Sequence, residues 1–131
     1  MVFLQFLVAA ATFLLLDAIW LKSMSTFYRR HLGDQLADKP NFLYAAAFYL
    51  IYIAGIVLFA VQPALAADSW LAAAGYGGAL GFFAYATYDL TNLATIKDWP
   101  LLVTLVDLAW GTVIGSLVSV ATYFIATKIS V

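Results

Sequence analysis

Cysteine is absent from the 131-residue chain, which excludes disulfides, thiolate metal sites and thiol nucleophiles. Charge is scarce as well: Asp, Glu, Lys and Arg together make up 10% of the residues, against about a quarter in a soluble domain. The single histidine, His31, lies outside the long apolar runs, so no imidazole is placed to ligate a haem or pigment inside a span. Of the three prolines, Pro40 and Pro63 bracket one apolar run and Pro100 opens another, ends where a missing N–H does least harm. No phosphate loop, zinc-ligand spacing, nucleophile–base pair or nucleic-acid-binding pattern is present, and neither a cofactor nor a metal ion is expected.

What remains is apolar. With 66% hydrophobic residues and a mean hydropathy of +0.98, the chain reads as an integral membrane protein of one domain. A helical span takes about 20 residues, and four spans, at about 2–22, 42–62, 70–96 and 100–126, nearly exhaust the length. The expected fold class is all-α: a polytopic bundle of four transmembrane helices embedded in the lipid bilayer. The first span has no basic segment before it, so it is expected to be retained rather than cleaved. The third is longer than needed, which tilt or an unwound end near Thr91-Asn92 would absorb.

Orientation follows from the basic residues. Lys22, Arg29, Arg30 and Lys39 fall in the first loop and Lys97 in the third, whereas the other side has Lys128. By the positive-inside rule the first and third loops face the cytoplasm and both termini face outward. In the first loop, Ser23 to Asn41, apolar Phe27, Leu32 and Leu36 alternate with charged residues, a pattern suited to a short helix on the lipid surface. Arg29 and Arg30 are expected to meet anionic headgroups there, and Trp70 and Trp99 to sit in the interfacial belt.

Three aspartates interrupt the spans: Asp17, Asp89 and Asp107. An ionisable group in hydrocarbon is costly and needs a partner, a proton, water or a function. At a rise of about 1.5 Å per residue, Asp17 lies roughly 7 Å before Lys22, Asp89 roughly 12 Å before Lys97 and Asp107 roughly 10 Å past Pro100. The spans alternate in direction, so all three carboxyls come out in the cytoplasmic half at similar depth. Residues three or four apart share a helix face, which joins Asp17 to Trp20, Asp89 to Tyr85 and Asn92, and Asp107 to Trp110. One polar chamber walled by aromatics would serve all of them, with Tyr88 a further donor, and carboxyls meeting there would titrate together and share protons.

Gly77-x-x-x-Gly81 and Gly111-x-x-x-Gly115 are small-residue surfaces that let helix backbones approach closely. They fit packing within one chain and they fit a homodimer. Asp17-x-x-Trp20-Leu21 and Asp89-x-x-Asn92-Leu93 occupy corresponding places in the two halves, as tandem hairpins would.

Residues 88 to 100, Tyr-Asp-Leu-Thr-Asn-Leu-Ala-Thr-Ile-Lys-Asp-Trp-Pro, followed by Asp107-Leu108-Ala109-Trp110-Gly111 and preceded far upstream by Asp17-Ala18-Ile19-Trp20-Leu21, carry a family likeness. The composite resembles the signature of a bacterial family of small predicted membrane proteins catalogued as domain of unknown function 2177. The resemblance implies a bacterial inner-membrane protein with about four spans and supplies no activity.

The residues favour a site at Asp17, Trp20, Tyr85, Asp89, Asn92, Asp107 and Trp110 that binds a proton, a cation or a cationic small solute during transport or permeation. Two other readings stay open: a membrane-embedded enzyme acting on lipids, for which no electrophile-stabilising group is evident, and an accessory subunit of a larger membrane complex. No catalytic residue is assigned.

Overall fold

The computed structural model describes residues 1–129 and is helical throughout its ordered elements. In chain order these are α1 (Val2–Leu32), a 3-10 turn (Gly33–Gln35), α2 (Phe42–Ile56), a π-helical segment (Val57–Val61), α3 (Gln62–Ala67), α4 (Trp70–Thr95) and α5 (Leu101–Ile129). From Phe42 to Ala67 the helix is continuous, so the chain forms four long rods. Three of the rods, those beginning at Val2, Phe42 and Leu101, are long and apolar enough to cross a membrane. The fourth, α4, has comparable length at 26 residues but dilutes its apolar face with glycines, tyrosines and polar residues.

α1 differs from the expected short span followed by a loop. It runs for 31 residues, about 46 Å at the standard rise, well beyond a hydrocarbon core of about 30 Å. Residues 23 to 32 are therefore the last turns of α1, not a separate surface helix. Nothing between Val2 and Leu32 breaks a helix: the stretch holds neither glycine nor proline. Termination comes at Gly33, whose φ of 51° lies in the left-handed region that glycine adopts without steric cost. Arg29, Arg30 and His31 occupy the last turn, where positive charge suits the helix dipole.

Pro63 also sits differently from the expected span end. It lies in the first turn of α3, inside the continuous rod, directly after the π-helical segment. A proline ring clashes with the carbonyl four residues back and has no N–H to give it; local π adjustment of the helix is one way membrane helices re-satisfy the freed backbone groups. The starts of α2 and α4 are capped by side chains: the Asn41 amide oxygen accepts from the Leu43 N–H at 3.1 Å, and the Ser69 hydroxyl accepts from the Ala72 N–H at 3.1 Å, as helix N-caps do.

The interior is built where α1, α2, the π segment and α5 meet, around Phe13, Tyr52, Ile56, Val61, Ile114 and Val118. Large apolar side chains such as Phe3, Leu15, Ile51, Phe59, Leu71 and Phe83 point outward, the arrangement of a protein whose solvent is lipid. Without a hydrophobic drive between helices in lipid, close backbone contact carries the packing, and here it comes from the glycines. A Cβ on Gly81 would collide with the Gly111 carbonyl, and one on Gly77 with the Gly115 carbonyl and Ser119. The two small-residue motifs thus face each other within one chain, and α4 and α5 form the tightest helix pair.

Candidate functional site

Each aspartate continues an inward-facing row spaced by four residues. On α1 the row is Gln5, Ala9, Phe13 and Asp17, all buried; on α4, Ala73, Gly77, Gly81 and Asp89 are buried with Tyr85 between the last two; on α5, Val103, Asp107, Gly111 and Gly115 are buried. The i, i+4 geometry that turns the apolar and glycine positions toward the bundle axis turns the carboxyls there too.

Asp17, Asp89 and Asp107 all border one cleft of about 1160 Å³. It lies toward the C-terminal end of α1, between α1, α2, α4 and α5, and takes in part of the 33–40 segment and Trp99. Of the residues named from sequence, Asp17, Trp20, Tyr85, Asp89, Asp107 and Trp110 line it, as does Arg29. Asn92 and Arg30 do not. The Asn92 amide nitrogen is buried without a hydrogen-bond partner in the last turn of α4, and Arg30 is exposed at the end of α1.

Two of the carboxylates are served by neutral donors. Tyr49 Oη donates to Asp17 Oδ2 at 2.9 Å, and Trp110 Nε1 donates to Asp17 Oδ1 at 3.4 Å. Tyr28 Oη donates to Asp107 Oδ1 at 2.5 Å and itself accepts from Trp20 Nε1 at 3.1 Å. The Trp20 and Trp110 rings stack, with centroids 4.3 Å apart and planes 5° from parallel. Asp17 and Asp107 are therefore joined through a Trp110–Trp20–Tyr28 bridge.

Asp89 is different. It is 0% exposed, and neither carboxyl oxygen meets a donor at hydrogen-bond geometry. The Asp107 carboxyl, Trp99 and Thr104 border it, but the Trp99 indole N–H is spent on Thr104 Oγ1 at 3.1 Å. No lysine or arginine is paired with any of the three aspartates among the described residues. A buried carboxyl without a donor at full hydrogen-bond geometry loses hydration with little in return; the Asp107 carboxyl and the Thr104 hydroxyl are the chain's own groups that interact with it there. Among the described residues no group of three or more potential ligands is clustered tightly enough to hold a metal ion.

Tyr28, Tyr49 and Trp99 were not among the site residues read from sequence. Tyr28 falls beyond the expected end of the first span, yet it lies 11 residues after Asp17, three helical turns on the same face; the missing glycine and proline up to Leu32 were the signal that the helix continues. Tyr49 stands one turn before Tyr52 and Ile53 on the buried stripe of α2. Trp99, expected in the interfacial belt, lines the cleft, carried there by the turn that ends α4, where Asp98 has a φ of 63°.

A family model described as a predicted membrane protein, DUF2177, matches residues 2–124. The chain matches no curated protein and no solved structure.

Proposed function

We propose that this chain, which belongs to the DUF2177 family of predicted membrane proteins, is a small bacterial inner-membrane protein of four spans whose aspartate cleft binds a proton, a cation or a cationic solute as a step in transport or permeation. The observation that carries this reading is the meeting of Asp17, Asp89 and Asp107, from three helices, in one cleft, with no cationic side chain among the described residues paired to any of them. Carboxyls at membrane depth are expensive to bury and mark ion and substrate pathways by default; carriers place such groups where helices from both halves meet. Packing alone does not account for Asp89, because an aspartate kept to glue helices together would be hydrogen-bonded to one of them.

The basic residues support a cytoplasmic opening. Arg29, which lines the cleft, shares its end of the bundle with Lys22, Arg30, Lys39 and Lys97, while Lys128 stands at the opposite end. In this reading the basic end faces the cytoplasm, as the positive-inside rule favours, and both termini face outward. Reconstitution into liposomes with a trapped pH-sensitive dye tests the function. Imposed proton and cation gradients are expected to drive flux in the wild type, and Asp89→Asn, Asp107→Asn and Asp17→Asn to reduce it severalfold. Unchanged flux in all three folded variants would defeat the proposal.

A further inference from the structure

We infer that the cleft is shaped for a protonated organic amine bearing at least one N–H and an apolar body, and that Asp89 is the carboxylate that receives it. This rests on reading the cleft as a cation site and narrows the class of cation.

The hydrogen-bond inventory singles out Asp89. Asp17 already accepts from Tyr49 and Trp110, and Asp107 from Tyr28, whereas Asp89 is fully buried, borders Asp107, Trp99 and Thr104, and among the described residues has no donor at full hydrogen-bond geometry. An ammonium with N–H groups supplies what those oxygens lack, a charge-assisted donor in a site of low dielectric. A quaternary ammonium has no N–H and would leave both oxygens unpaired.

The size and walls of the cleft argue against an inorganic ion. Hard metal cations take six to eight oxygen ligands at short range, and among the described residues no three His, Cys, Asp or Glu side chains, the three aspartates of the cleft included, stand close enough together to hold one. A proton or a sodium ion needs no chamber of about 1160 Å³, a volume just above the range of about 300–1,000 Å³ that accommodates drug-sized organic ligands. Phe48, Tyr49, Tyr85, Tyr88 and Trp99 line it, apolar surface for the remainder of an amine whose charged end sits at Asp89.

The test is titration of the purified full chain in detergent, followed by the fluorescence of the tryptophans that line the cleft. The probes are 2-phenylethylammonium chloride, its N,N,N-trimethyl analogue, sodium chloride and magnesium chloride at matched ionic strength. Saturable binding of the primary amine is expected, with affinity lower by about tenfold or more for the trimethyl analogue and for Asp89→Asn with the primary amine, the loss of a charge-assisted hydrogen bond. Comparison of the two amines uses only wild-type protein, so it decides the matter even if Asp89→Asn does not fold. Equal affinity for both amines, or unchanged affinity in a folded Asp89→Asn, would overturn the inference. Saturation by sodium or magnesium but not by the amine would overturn it while leaving the cation reading in place. Absence of binding by every probe, with aspartate-dependent proton flux retained in liposomes, would also overturn it and leave a proton site; absence of both would remove the two readings together.

Discussion

Trp20 and Trp110 stack in parallel at 4.3 Å, each spending its indole N–H at the edge of the site, one on Tyr28 and the other on Asp17. This pair ties α1 to α5 at the depth of the carboxyls. An aromatic pair contributes about 1 kcal/mol beyond its buried area. A double-mutant cycle of Trp20→Leu and Trp110→Leu, read from thermal unfolding in detergent, is therefore expected to give a coupling of about 1 kcal/mol; strictly additive effects would show that the stack contributes nothing.

Tyr28→Phe removes the donor to Asp107 and also takes the acceptor from the Trp20 N–H. Tyr49→Phe removes a single donor to Asp17, which keeps Trp110. Side-chain hydrogen bonds between membrane helices are worth about 0.6 kcal/mol on average and up to about 1.7 kcal/mol. Tyr28→Phe is expected near the upper figure and Tyr49→Phe near the lower, both measurable as shifts in an unfolding curve in mixed micelles. The reverse order would mean that the bridge through Tyr28 is not the stronger link.

The α4–α5 contact makes a sharp prediction about glycine. Gly81→Ala brings a methyl group against the Gly111 backbone carbonyl, whereas Gly75→Ala meets nothing within 4 Å. Gly75→Ala is expected to stabilise by about 0.5–1 kcal/mol through helix propensity alone. Gly81→Ala is expected to destabilise by about 1–3 kcal/mol, the usual cost of overpacking. Parallel melting curves of the two variants check this difference in sign.

Tyr52 supplies a control of the opposite kind. Its ring is buried against Phe13 and Phe48, but its hydroxyl has no partner. Removing an unsatisfied buried polar group costs nothing in hydrogen bonds and recovers its desolvation penalty. Tyr52→Phe is expected to leave the melting temperature unchanged or raise it, and a marked fall would reveal a hydroxyl partner.

The convergence of Asp17, Asp89 and Asp107 was legible because depth in a membrane helix is a matter of counting residues. The helical class and membrane character were legible from hydropathy. The end of α1 was not: Lys22 marks where lipid should end, but a helix stops where its backbone does, at Gly33. Nor did composition alone reveal that Pro63 is carried within a rod, since the π turn before it is a local backbone adjustment. Tyr49 and Trp99 look like belt aromatics when read one at a time. Their roles depend on which neighbouring helix they face, and hydropathy does not record that. That Gly77 and Gly81 approach Gly115 and Gly111 within the chain depends on how α4 and α5 cross, which the spacing of the glycines does not record.

Everything in the functional account depends on carboxyls from three helices sharing one chamber. Because the chain contains no cysteine, introduced pairs report that proximity without background: Asp17→Cys with Asp89→Cys, Asp17→Cys with Asp107→Cys, and Asp17→Cys with Asp68→Cys as the distant control, Asp68 capping α3 beside Tyr123. Treatment of membranes with a short thiol-specific cross-linker is predicted to join the first two pairs within single chains and not the third. Failure of both aspartate pairs to cross-link, or equal cross-linking of the control, would contradict the shared cleft and the site built on it.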